Sequence, residues 1–143
     1  MFSKKRKYKK SVNKIGPNIH KQIMDAVILN PSALTTPKHM TFAAGYLQAA
    51  TISVLQEVGC NDPDTSNQML KFLCEGVMPG RLWDVLNRAH ALMDLEVEPQ
   101  LLRAYNHGQR IGLVDRLMDG DMLTEYLVRN EVNYSEDAEI SVQ

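Results

Sequence analysis

The chain has 143 residues, of which 44% are hydrophobic and 23% charged, with two cysteines and a net charge of −1. This length fits one domain with its own core, and the composition excludes disordered and collagen-like chains. No run approaches the roughly 18 apolar residues of a membrane span. No apolar signal segment follows the basic start, so we expect a cytoplasmic protein or one built into a virus particle.

The nearly neutral average conceals two oppositely charged ends. Residues 1–14 carry seven basic side chains and no acid, whereas residues 131–143 carry four acids and no base. Charge segregated in this way is typical of interaction tails. Because residues 1–15 show no apolar periodicity, the sequence predicts a flexible basic arm there. A helical domain over 16–130 and an acidic flexible tail over 131–143 follow.

The first predicted helix covers residues 19–29, after a break at Gly16–Pro17 and with Asn18 as its N-cap. The next helix is the clearest, because Thr36 can cap it, a proline fits its first turn and Gly59 can end it. It is rich in alanine and glycine, which let another helix approach closely. We therefore predict that this helix lies at the centre of the fold.

The remaining helices are predicted from breaks at proline, glycine or capping residues, which are Thr65, Pro79–Gly80, Pro99, Gly108 and Asp121. Thr65 starts a candidate capping box with Gln68. Gly108 is predicted to close the helix that begins at Pro99, and Asp121 to cap the last helix. No segment alternates apolar and polar residues as β-strands do. The predicted fold class is all-α: a compact bundle of about five to seven helices with a disordered basic N-terminal arm and an acidic C-terminal tail.

The basic arm is the strongest functional signal in the sequence. Six of the seven residues from Lys4 to Lys10 are basic, and the seventh is an aromatic residue. Such an arm can follow a phosphate backbone without reading base identity, and its aromatic ring can stack on a base. The candidate residues for binding DNA or RNA are Lys4, Lys5, Arg6, Lys7, Tyr8, Lys9, Lys10 and Lys14.

The leading hypothesis is a non-enzymatic, nucleic-acid-associated structural or assembly protein, such as a packaging, virion or nucleoid component. Its body would contact other protein subunits, including copies of itself. The alternative is a helical adaptor or inhibitor that acts through protein contacts. The arm would then be incidental, a solubilising terminus, a ligand for an acidic protein, or a nuclear-import signal that places a eukaryotic protein in the nucleus. A membrane partner is not expected, because Phe2 is the one apolar anchor nearby.

No catalytic, metal or cofactor site is predicted. The four histidines and two cysteines lack the spacing of zinc ligands, and the acids around Asp119–Asp121 lack EF-hand spacing. Neither a phosphate-binding glycine loop nor a nucleophile-elbow motif occurs. The two helices around Gly59 are interpreted as packing, not as a DNA-reading motif, because the second offers few base-contacting side chains. Trp83 lies off the apolar stripe of its helix and is the candidate protein-interface residue.

Overall fold

The computed structural model describes residues 2–77, 81–94, 99–118 and 120–129. These residues form seven α-helices and no strand, which confirms the all-α class. The helices are α1 (Phe2–Asn13), α2 (Gly16–Leu29), α3 (Pro37–Glu57), α4 (Pro63–Val77), α5 (Arg81–Asp94), α6 (Pro99–Met118) and α7 (Met122–Val128). The predicted acidic tail and the predicted helix start at Pro79–Gly80 lie outside the described residues. Over the described ranges, none of the helices has both the length and the apolar character needed to cross a bilayer.

Helix α3 is the centre of the bundle and is buried along most of its length. It packs against α1, α4, α5, α6 and α7. Its predicted bounds are confirmed: the Thr36 hydroxyl accepts a hydrogen bond from the backbone N–H of His39, and Pro37 occupies the first turn. Gly59, just beyond the end, has the positive φ of 85° that suits glycine. Local capping signals are therefore sufficient to define this helix.

Helix α6 runs through Gly108, so the predicted end at this residue is wrong. The glycine instead lets two helix backbones touch. A Cβ atom at Gly108 would lie 2.1 Å from the carbonyl oxygen of Phe42, and one at Gly112 would lie 2.5 Å from that of Tyr46. Gly45 on α3 is packed equally closely, because its Cβ would lie 2.1 Å from the carbonyl oxygen of Tyr105. Helices α3 and α6 thus cross at backbone contact.

The structure corrects the prediction of a disordered arm over residues 1–15. Residues Phe2–Asn13 form helix α1, which packs on α2, α3 and α4. Val12 and Ile15 are buried, and Tyr8 is half-buried against the core. These three side chains follow the i, i+4, i+7 spacing of one helix face. The pattern is short and lies within a run of charges, which is why the sequence alone did not indicate it.

Two predicted helix caps are also corrected. Asn18 lies inside α2, which begins at Gly16. Helix α4 begins at Pro63 and not at Thr65, and the carboxylate of Asp62 accepts hydrogen bonds from the backbone N–H and the hydroxyl of Thr65. These bonds lower the pKa of Asp62. The aspartate before a proline therefore caps this helix, and the proline occupies its first position.

The crossing of α3 and α6 predicts opposite effects for two glycine-to-alanine substitutions. We expect Gly108→Ala to lower the free energy of unfolding by about 3 kcal/mol, because the new methyl group would overlap the carbonyl of Phe42. Gly76→Ala is the matched control: it also lies in a helix, but nothing lies within 4 Å of its added Cβ. It should raise the free energy of unfolding by about 0.5 to 1 kcal/mol. Urea unfolding of both variants measures the difference, and equal effects would contradict the described crossing.

Candidate nucleic-acid interface

Helix α1 displays its basic residues to solvent. The predicted binding residues that are exposed are Lys4, Lys5, Arg6, Lys7, Lys9, Lys10 and Lys14. Because Tyr8 and Val12 face the body of the protein, helical periodicity places Arg6 and Lys10 on the opposite, outward side. Lys7 is one turn before Lys10, so it extends the same outward surface. The sequence identified these side chains, and the helix determines which of them share a side.

The positive charge of this helix is not balanced by neighbouring acids in the described part of the chain. Over those residues, no basic side chain from Lys4 to Lys14 forms an ion pair. The i,i+4 ion pairs of the structure lie elsewhere: Lys21–Asp25 on α2 at 3.2 Å, and Lys71–Glu75 on α4 at 4.0 Å. The outward side of α1 is therefore a concentrated cationic surface with its charges available to a polyanion.

Two of the predicted residues also contact the body of the protein. The ammonium group of Lys9 lies 5.1 Å from the ring centroid of Phe72 on α4, a distance that fits a cation–π contact. The ring of Tyr8 packs partly against the core. Much of the surface of Tyr8 that base stacking would use is thus in contact with protein. Both residues help to hold α1 in place.

Helix α1 depends on this docking. It has no acid in its first turn, and its like charges lie three and four residues apart, as at Arg6 and Lys10. Both features disfavour an isolated helix, and twelve residues are in any case marginal for one. Anchoring through Val12 and Ile15 offsets this cost. A polyanion along the outward side would reduce the repulsion further.

Trp83, the predicted interface residue, lies on α5 and is half-buried against the core. The ammonium group of Lys71 lies 6.0 Å from its ring centroid, at the outer limit of a cation–π contact. Helix α1 packs mainly on α2, α3 and α4. The structure therefore does not bring Trp83 together with the basic residues of α1.

A buried polar network lies at the start of α7, and the sequence analysis did not find it. The side chains of Gln22, Tyr46 and Asp115 are each at most 2% exposed. The Gln22 amide donates a hydrogen bond to the Tyr46 hydroxyl at 2.9 Å, and this hydroxyl donates to Asp115 Oδ2 at 2.7 Å. These residues lie far apart in the chain on three different helices, so local sequence patterns give no signal for them.

This network caps α7. Asp115 Oδ2 accepts a hydrogen bond from the backbone N–H of Met122 at 3.0 Å, and Gln22 Oε1 accepts from those of Leu123 at 2.9 Å and Thr124 at 3.2 Å. The predicted cap, Asp121, makes no side-chain capping bond, so that prediction is wrong. The first N–H groups of α7 are satisfied instead by side chains from α2 and α6.

Buried titratable groups in this region are held in their neutral forms. Burial and the hydrogen bond to Asp115 raise the pKa of Tyr46 well above its ordinary value. Burial raises the pKa of the Cys74 thiol to about 12, and Cys60 and Cys74 form no disulfide. Over the described residues, no group of three or more histidine, cysteine or acidic side chains is arranged to hold a metal ion. The network therefore acts in packing and capping.

Comparisons of the chain with protein-family models, with curated proteins and with solved structures found no match. Its functional interpretation therefore depends on the chemistry of its own residues.

The network predicts a stability loss that depends on pH. We expect Tyr46→Phe to lower the free energy of unfolding by about 1 to 3 kcal/mol at pH 7, because Gln22 and Asp115 each lose a buried hydrogen-bond partner. The raised pKa of Tyr46 in the folded state means that its contribution is full below about pH 10 and is lost as the pH rises further. The variant should therefore lose less stability than the parent between about pH 10 and 11.

Tyr105→Phe is the control for this prediction. Burial alone raises the pKa of Tyr105, without a carboxylate partner. It should cost less than about 1 kcal/mol at pH 7. Denaturant unfolding at each pH measures both variants, and an equal loss in the two would show that the hydrogen bonds of Tyr46 do not stabilise the fold.

Proposed function

We propose that this chain is a non-enzymatic structural or assembly protein that binds DNA or RNA through α1, by contacting the phosphate backbone without sequence specificity. The observation that carries this proposal is the exposed basic surface of α1, whose side chains form no ion pair within the described residues. Lysine and arginine in such a surface displace counterions from nucleic acid and so gain affinity. A cytoplasmic or virion location is compatible with this role.

The helical form of α1 limits how many phosphates it reaches. Twelve residues of helix are about 18 Å long, which spans about five phosphates of one B-form strand. Its basic residues point in several directions, and Lys9 lies against Phe72. We therefore expect about four phosphate contacts, led by Arg6, Lys7 and Lys10. This corresponds to a log–log salt dependence of about −3.6 on duplex DNA.

The proposal predicts a steep loss of affinity when the outward charges are removed. We expect the double variant Arg6→Gln/Lys10→Gln to bind a random-sequence duplex about 50-fold more weakly at about 0.1 M salt. Its salt dependence should be shallower by about 1.8, because two phosphate contacts are lost. Fluorescence anisotropy over a salt series measures both quantities on the full chain.

Lys21→Gln/Arg88→Gln is the matched control. It removes the same charge from α2 and α5, at exposed positions outside α1. We expect it to change the affinity less than threefold and to leave the salt dependence within about 0.5 of the parent value. Equal losses in the two double variants would show that overall charge and not α1 governs binding. Absence of binding by the full chain at low salt would refute the proposed function.

The second candidate function is a helical adaptor that acts through protein contacts. The observation in its favour is the exposure of Ile28 and Leu29 at the end of α2, which are 74% and 70% exposed. Isolated exposed apolar residues are common on soluble proteins, so this observation weighs less than the charged surface. Light scattering on the full chain and on Ile28→Lys tests self-association through α2. A monomer in both cases would remove this form of the second candidate.

A further inference from the structure

A cavity of about 190 Å³ lies between the C-terminal half of α3 and the N-terminal half of α4. Its wall combines amide and hydroxyl side chains with apolar ones, including Ile52 and Leu70, and contains no acidic, basic or histidine side chain. Its volume exceeds the roughly 150 Å³ of a protein cavity that holds benzene. The cavity is therefore large enough for one ring compound, and its lining favours an uncharged one.

Two polar atoms in this wall are buried and have no hydrogen-bond partner within the described part of the chain: Gln48 Oε1 and Thr51 Oγ1. The Thr51 side chain is fully buried. Because the two residues are three apart on α3, their side chains lie on the same side of the helix. An unpartnered buried polar atom costs stability unless something satisfies it. This pair therefore points to a ligand.

The chemistry of the two atoms defines the ligand. The Gln48 carbonyl oxygen only accepts hydrogen bonds, whereas the Thr51 hydroxyl both donates and accepts. Their complement is an N–H donor next to a carbonyl acceptor, which is the edge of a lactam, a cyclic urea or a pyrimidine base. Ile52 and Leu70 provide apolar contacts for the body of a ring.

We propose that this cavity binds a small uncharged ring compound with an amide-type edge, of the class to which uracil belongs. The free base and a base held on a strand share this edge. The proposal does not depend on nucleic-acid binding by α1, since no charged group of the cavity takes part.

Titration of the full-length, isotope-labelled chain with uracil, followed by amide NMR, tests the proposal. We expect saturable shifts of the backbone amides around Gln48, Thr51 and Asn67, with a Kd of about 1 mM or tighter. Toluene should bind at least about tenfold more weakly, because it offers no hydrogen bonds. Toluene binding as tight as that of uracil would overturn the proposal.

Thr51→Val keeps the shape of the side chain and removes the hydroxyl. We expect it to weaken uracil binding at least about tenfold and to raise the Tm by about 3 °C, because an unpartnered buried hydroxyl is lost. Thr41→Val is the matched control on the same helix. Its hydroxyl donates to the Pro37 carbonyl at 2.9 Å, so the variant should lower the Tm and leave uracil binding unchanged. Unchanged binding by Thr51→Val would overturn the proposal.

Asn67→Trp provides a second test at an exposed position of the cavity rim. It should abolish the uracil shifts while preserving the fold. A short oligouridylate separates the two sources of the base: cavity shifts with the strand but not with uracil assign the site to a strand-borne base. Shifts with neither overturn the proposal. Shifts confined to α1 would support the proposed function alone.

Discussion

The contact between the backbones of α3 and α6 is the constraint on which the rest of the structure depends. Gly45, Gly108 and Gly112 remove the side chains that would otherwise keep these helices apart. The close approach places the Tyr46 hydroxyl within hydrogen-bonding distance of Asp115, three residues beyond Gly112 on α6. A polar network at this point is stable because nearly every polar atom that enters it is paired. The close crossing therefore fixes a buried hydrogen-bond site as well as an apolar interface.

The same crossing determines where α7 and α2 lie. Asp115 and Gln22 satisfy the first backbone N–H groups of α7, and the ring of Tyr126 on α7 stacks on Phe42 of α3 with ring centroids 3.6 Å apart. Gln22 belongs to α2, which continues from α1 through the buried Ile15. The highly charged α1 is thus attached to a body that is already fixed. Docking in this way reduces the entropy that its side chains would lose on binding a polyanion.

The sequence predicted features whose signals are local and missed those that depend on distant contacts. The bounds of α3 were predicted because a cap, a proline and Gly59 lie beside them in the chain. Gly108 was misassigned because glycine both ends helices and permits close crossings, and only the facing Phe42 distinguishes the two. The basic residues of the candidate site were evident from composition. Which of them face outward depends on Tyr8 and Val12, a short apolar pattern hidden by charge. The cavity required α3 and α4 to be placed together.

The two proposed sites differ in the force that they use, and α4 lies beside both. Helix α1 packs near Phe72 in the second half of α4, whereas the cavity lies against its first half, at Ser66 and Leu70. Binding at the charged surface weakens with salt because counterions compete for it. Binding in the cavity depends on hydrogen bonds and apolar contact, which salt screens little. A strand that used both sites would therefore keep a salt-resistant component of its affinity after its phosphate contacts had been screened, whereas a strand held by α1 alone would keep none.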